Sequence, residues 1–261
     1  MTTTQQQPYV SQHRTAHESF PQPNDGSSKV WRYLNLEKMI ALLNARQLFF
    51  TRTDTFQDDY EGSVTRGTWL RLSQNPGLAA QLREARIGFK QMVYASCWHM
   101  NNGESEAMWR LYCPTNSGVA LQTTYERLDR SLPTQGVFLG KVSYVDYHDE
   151  AGATEESIPN ALSALMHKRS AFAHEQEVRA VIWPAAAGLV EFLKEGEVPR
   201  REEPRRVIGV PWDINETIEH IWVCPYAEEW YKDVVKTVLQ RFAPDILDRL
   251  KWSQMKGVPL Y

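Results

Sequence analysis

The sequence is poor in cysteine, lacks a long apolar run and carries almost no net charge. Three cysteines in 261 residues, Cys97, Cys113 and Cys224, are too few and too scattered for a disulfide framework, and no two stand at the spacing of a zinc knuckle or a redox pair. Each reads as a small, half-buried hydrophobe in a reducing compartment, which points to the cytoplasm. No apolar stretch approaches the ~20 residues of a membrane-spanning helix. The N-terminal residues lack the apolar segment of a signal peptide, since Gln5 to Gln7 is polar. Against 29 basic residues stand 32 acidic ones, a formal charge of −3, which excludes a strongly basic nucleic-acid coat and a polyanionic tail. Nucleic acid then has only a local groove to bind. A glycine-rich phosphate loop, a Gly-x-Gly-x-x-Gly turn and a Gly-x-Ser-x-Gly elbow are all missing. The histidines do not pair at helical spacing, and no His-Cys-Cys deaminase pattern occurs, so no metal is expected.

What is present is enough apolar chain, 42% of residues, for a substantial core. Residues 1–28 are rich in Thr, Gln, Ser, Pro and Asn and read as a disordered arm. Residues 29–261 read as a single α+β domain, with a mixed, mostly antiparallel sheet and flanking helices. Strands are expected at 30–34, 47–51, 92–98, 118–123, 137–145, 177–183, 207–210 and 218–224. Helices are expected from Leu36, over 76–91, through Met108 to Tyr112, over 155–169 and over 227–242. The irregular order argues against a doubly wound nucleotide fold.

Three runs carry candidate chemistry. The first, His174-Glu175-Gln176-Glu177-Val178-Arg179, opens a strand, where side chains alternate with period two. Glu175, Glu177 and Arg179 then share one face, either as an ordinary ion pair or as carboxylates aimed into a cleft and tuned by Arg179. In the second, Asp54, Asp58, Asp59 and Glu61 surround Phe56 and Tyr60. Those carboxylates either solvate a loop or ligate a divalent cation, although calcium-loop spacing is absent. In the third, Trp109 and Tyr112 lie on one helix face, as core or as a platform for a flat ligand.

Taken together, these runs resemble a bacterial family called domain of unknown function 2971, some of whose relatives look like abortive-infection proteins acting against phage. The matching residues are Trp31-Arg32-Tyr33, Leu48-Phe49-Phe50, Phe56 to Glu61, Ser96-Cys97-Trp98, Met108 to Tyr112, Gly118-Val119, Lys168 and Phe172 to Arg179. Gln57, Asp59, Phe172 and His174 depart from the family pattern. A weaker similarity, to ADP-ribosyltransferases, rests on Arg32, on Tyr94-Ala95-Ser96 and on Glu175-Gln176-Glu177 in that order. That resemblance implies NAD as substrate and an unknown macromolecular acceptor. It implies Glu177 and Glu175 as catalytic carboxylates, with Arg32, Tyr33, Ser96, Trp109 and Tyr112 binding NAD. An Arg fork suits a pyrophosphate, and a carboxylate suits the oxocarbenium charge that builds as the nicotinamide leaves. Two other classes stay open. One is a metal-dependent nuclease using Asp58, Glu61, Glu175 and Glu177 with Lys168 nearby, provided the acidic runs converge. The other is a binding module without catalysis.

Overall fold

The computed structural model describes residues 8–14, 16–150, 160–183 and 205–257. Its elements run, in order, β1 (Lys29–Leu34), α1 (Leu36–Ala45), β2 (Gln47–Arg52), α2 (Arg66–Leu72), α3 (Pro76–Lys90), β3 (Tyr94–Met100), α4 (Glu106–Tyr112), β4 (Val119–Thr124), α5 (Tyr125–Ser131), β5 (Val137–Lys141) and β6 (Ser143–Val145). They continue with α6 (Ala161–Leu165), β7 (His167–Arg169), β8 (Glu177–Ile182), β9 (Val207–Pro211), α7 (Ile214–Thr217), β10 (His220–Val223), α8 (Glu229–Phe242) and β11 (Leu250–Trp252). Local sequence explains the helix starts. Asn35, Asn75 and Ser105 each accept a backbone N–H of the first turn, and Pro76 opens α3 where its missing N–H costs nothing.

Among the described residues nine strands form one sheet, in which only the β10–β11 pair is parallel, and β6 and β7 make a separate parallel pair. This is the α+β architecture expected. The sheet is split at β3. One edge of β3 pairs with β8 along Tyr94 to His99. The other edge is shared: β2 pairs at Ala95 and Tyr94, and β1 pairs at His99 and Met100. Between them the ladder opens beside Ser96 to Trp98. Core side chains fill both faces, with Met39, Leu42, Val235 and Leu239 of α1 and α8 packed on the larger cluster. A smaller cluster gathers Phe20, Phe89, Ala95, Leu165 and Val181.

Several expectations need correction. The N-terminal segment from residue 8, apart from residue 15, is docked on the body. Phe20 is 3% exposed, and Arg14 pairs with the buried Asp129 and donates to the carbonyls of Pro133 and Val137. Tyr9 and Ser11 bond the same Asp129 carboxylate, at 3.2 and 2.6 Å. Polar composition reads as disorder, yet a few anchors with partners far along the chain suffice to fix it. Gly140 is required here, because a Cβ on it would lie 2.7 Å from the Phe20 backbone. Residues 1–7 of the expected arm lie outside the described residues. Arg14→Ala leaves Asp129 with two neutral donors. We expect a loss of about 2 kcal/mol, read as a lower urea midpoint together with new protease cleavage within residues 8–28.

The long strand expected at 137–145 breaks in two at Val142, whose N–H bonds the Glu177 carbonyl at 2.9 Å. The helix expected over 155–169 is short. Its first residues, to 159, lie outside the described residues, and after α6 the chain becomes strand β7. The charged loop at 200–206 likewise falls outside, up to residue 204. Along α3 the expected inward face is only partly inward, with Phe89 buried and Leu78 43% exposed.

Candidate functional site

The acidic run at 56–61, Lys168 and the run at 175–179 close into one buried ion cluster. Arg179 on β8 donates through Nε to Glu177 at 2.8 Å and through Nη2 to Glu61 at 2.8 Å. Its Nη1 bonds the Leu165 carbonyl. Lys168 Nζ on β7 reaches Glu175 at 2.6 Å, Glu177 at 3.2 Å and Glu61 at 3.6 Å. Next to this, Arg169 grips Asp58 through two nitrogens, each 3.0 Å from a carboxylate oxygen. Aromatic rings cover the cations: Phe56 over Arg179, Phe172 over Lys168, and Tyr60 with Phe172 over Arg169.

The chain reaches this arrangement through one unusual residue. Glu175 ends a 3-10 turn, and Gln176 adopts φ 38°, ψ 53°, the left-handed region that a residue with a side chain seldom takes. That turn swings Glu175 beside Glu177, so both carboxylates meet Lys168. The sequence placed Glu175, Glu177 and Arg179 on one strand face. In fact the strand starts at Glu177, and Glu175 arrives by the turn. The charged face of β8 is also no solvated surface, since Glu177 is 4% exposed and Arg179 is fully buried.

Electrostatics follow from this packing. Burial pushes the Glu177 carboxyl up, but Arg179 and then Lys168 outweigh it and hold the group at about 2. Burial favours loss of the Lys168 proton, yet Glu177, Glu61 and Glu175 together raise its pKa above the ordinary lysine value. Burial raises the Cys97 thiol well above its usual value, with Glu177 adding to the effect, so Cys97 stays protonated and donates to that carboxylate. The phenol of Tyr144 accepts the Glu177 backbone N–H at 2.8 Å, and burial lifts its pKa to about 12.

The NAD-binding residues implied by the transferase resemblance are divided. Arg32 and Ser96 do meet: Arg32 bonds the Ser96 hydroxyl and, at 3.2 Å, the Phe49 carbonyl, bridging the opening between β1 and β2. Trp31, His99 and Glu177 stand in one cross-strand row and therefore share a face. Arg32 follows Trp31, and Ser96 is an odd number of residues from His99, so both project from the opposite face to Glu177. Burial without a carboxylate partner lowers the Arg32 pKa to about 10.

Tyr33, Trp109 and Tyr112 gather on the Glu177 side. Trp109 is fully buried against Tyr33, with ring centres 4.9 Å apart, and its indole N–H bonds Glu104, so it is core. Tyr112 is 41% exposed, and its phenol is raised first by burial and then by Cys97, Glu175 and Glu177. It lies within electrostatic reach of the cluster.

For a metal the fit is poor. Glu61, Glu175 and Glu177 converge, but each already has an oxygen on Lys168 or Arg179. Among the described residues no three His, Cys, Asp or Glu side chains are grouped to ligate an ion. Sequence reading missed Arg169, the partner of Asp58. Its adjacency to Lys168 on a strand was the available signal. Also missed was His99, 3% exposed, whose Nδ1 lies 2.6 Å from the Glu175 carbonyl and whose Nε2 has no hydrogen-bond partner.

These features define a class: an α+β protein whose split antiparallel sheet carries a buried, charge-paired cluster on one face. Residues 108–180 match the model of a family described as a protein of unknown function, DUF2971. The segment holds Met108 to Tyr112, Lys168 and Phe172 to Arg179, so those parts of the resemblance are supported. The matches at Trp31 to Tyr33 and at 56–61 lie outside it. No curated protein and no solved structure matches the chain. Among the described residues no helix is long and apolar enough to cross a membrane.

Proposed function

We propose that the Glu175 side of the ion cluster, beside Phe172 and Tyr112, receives the nicotinamide end of NAD, and that Glu175, rather than Glu177, meets the bond to be broken. The observation that carries this reading is the unequal engagement of the two carboxylates. Glu177 has one oxygen on Arg179 and the other on Lys168, while Glu175 has Lys168 as its ion-pair partner and stands at the edge. Across the cluster four carboxylates face three cations, leaving one formal negative charge beside the half-exposed rings of Phe172 and Tyr112. A planar cationic ring fits such a place. Breakage of the C–N glycosidic bond sends the bonding pair to nicotinamide and leaves oxocarbenium charge for Glu175 to stabilise. An acceptor nucleophile, a macromolecule in the phage-defence setting that the resemblance implies, or water, then attacks and gives up its proton. In this reading Arg32 and Ser96 hold the sheet split and do not touch NAD. The free thiols suit a reducing cytoplasm.

The second reading, a binding module without catalysis, is favoured by the full pairing of Glu177. Thermal midpoints with and without excess NAD separate the two. At 100 times its dissociation constant NAD adds about 2.7 kcal/mol, a rise of roughly 5–10 °C. We expect this rise in the wild type, accompanied by slow release of nicotinamide. Glu175→Gln should fold normally and lose the release at least 100-fold. An absent NAD shift in the wild type overturns the NAD reading and leaves the binding module.

A further inference from the structure

Among the described residues the outer edge of β5 carries no neighbouring strand. The N-terminal segment crosses that edge and meets it mostly with side chains. Arg14 Nη1 donates to the Val137 carbonyl at 3.1 Å, Gln22 Nε2 donates to the Leu139 carbonyl at 2.7 Å, and the Pro21 carbonyl accepts the Lys141 N–H at 2.7 Å. Pro21 has no N–H to return, so no regular ladder forms. Between segment and strand lies a cavity of about 370 Å³. Tyr9, Val10, His17 and Phe20 line it from the segment, Phe138 and Leu139 from β5. Val10 is 74% exposed, so the cavity opens to solvent.

The walls are aromatic, and their charged and amide groups are already engaged. Phe20 and Phe138 stack with ring centres 5.0 Å apart, and His17 stands edge-on to both, at 5.6 and 5.4 Å. The Arg14 guanidinium is held by Asp129 and by the Pro133 and Val137 carbonyls, and Asp129 also takes Tyr9 and Ser11. The Gln22 amide is occupied by the Phe20 and Leu139 carbonyls and by the Tyr125 hydroxyl. One donor is left. The Ser19 N–H bonds His17 Nδ1 at 3.1 Å, so Nδ1 is the acceptor and the neutral ring carries its proton on Nε2. Among the described residues nothing accepts that proton.

We propose that this cavity binds a small, uncharged, two-ring heteroaromatic compound, which lies against Phe20 and Phe138 and accepts the His17 Nε2 hydrogen. Size sets the two rings: an apolar cavity of about 150 Å³ takes benzene, and this one is more than twice as large. Ring edges and faces in the walls favour an aromatic guest. An anion would find the Arg14 guanidinium already paired, and a cation would find Asp129 already taken. A ring nitrogen supplies the acceptor that His17 lacks. Because the N-terminal segment forms most of the walls, the compound binds only the docked form and holds it in place. None of these residues belongs to the ion cluster.

The probe is quinoline, added to the full chain while amide hydrogen exchange is followed. The Tyr9 N–H bonds the Pro23 carbonyl and the Lys141 N–H bonds the Pro21 carbonyl, so both exchange when the segment lifts. A ligand of about ten non-hydrogen atoms should bind with a Kd of about 1 mM. At about ten times that concentration quinoline should slow both amides about tenfold. Saturable chemical-shift changes should appear on the His17, Phe20 and Phe138 rings. Ala16→Trp, at an exposed position that lines the cavity, should weaken binding at least about tenfold. Naphthalene-1-sulfonate, with the same two rings and a charge, should not saturate. If the variant folds poorly, the wild-type exchange and shifts decide. Unchanged exchange at Tyr9 and Lys141, or shifts confined to other residues, overturns the proposal. So does quinoline binding that appears only after removal of residues 1–7, because the chain's own terminus is then the occupant.

Discussion

Replacing Arg179 by Leu should destabilise this protein more than any substitution at its surface. The guanidinium holds Glu177 and Glu61 at 2.8 Å each and also bonds the Leu165 carbonyl, in a place that water does not reach. Leucine leaves Lys168 alone against three buried carboxylates. Breaking one side of a buried ion pair costs about 3–5 kcal/mol, because the remaining charge keeps its desolvation penalty without its partner. For a domain of this size that lowers the thermal midpoint by roughly 10–15 °C. Calorimetry of the variant checks it. A fall below 3 °C would mean that the cluster is hydrated and that the carboxylates do not depend on Arg179. Glu175→Gln, at the cluster edge, should cost far less. That difference separates the carboxylate that supports the fold from the one proposed to act on NAD.

The second large effect is acid sensitivity. The Glu177 carboxyl sits at about 2 in the folded protein, below its ordinary 4.5, because Arg179 and Lys168 overcome the effect of burial. A depressed folded pKa gives stabilisation that is complete above the unfolded value and lost as pH falls through the folded one. The contribution, on the order of 3 kcal/mol, should therefore be present at neutral pH and decline between about 4.5 and 2. Urea midpoints over that range report the loss, and the carboxyl carbon shift of labelled Glu177 reports the titration directly. A Glu177 resonance titrating near 4.5 would remove the basis for both predictions.

Much of this was legible before any coordinates. The amphipathic spacing of Leu36, Met39, Ile40 and Leu43 gave a helix, and the Asn caps gave its start. The alternation through Glu177 to Ile182 gave a strand, and it also misled. Periodicity assigns side chains to two faces but does not say that both faces are covered. Here Phe56, Glu61, the end of α6 at Leu165 and Lys168 of β7 pack over the charged face of β8, so it is as buried as the apolar one. The N-terminal segment failed for a related reason. Nothing local in Tyr9, Arg14 or Phe20 signals order, because their partners Asp129 and Phe138 lie more than a hundred residues away.

The candidate residues themselves were all visible as residue types. What spacing withheld was their partnership. Asp58 finds Arg169, Glu61 finds Arg179, and Glu175 reaches Lys168 through a left-handed Gln176 that no propensity favours. Arg32 and Ser96, read as companions of Glu177, meet each other on the opposite face, because two residues an odd number apart on a strand project oppositely. The sequence by itself determined the fold class, most of the strands and helices, and the chemical inventory of the site, because propensity and periodicity are local. Only the tertiary structure decided which carboxylates share two cations and which has one. Burial and pairing depend on contacts between segments that are distant in the chain.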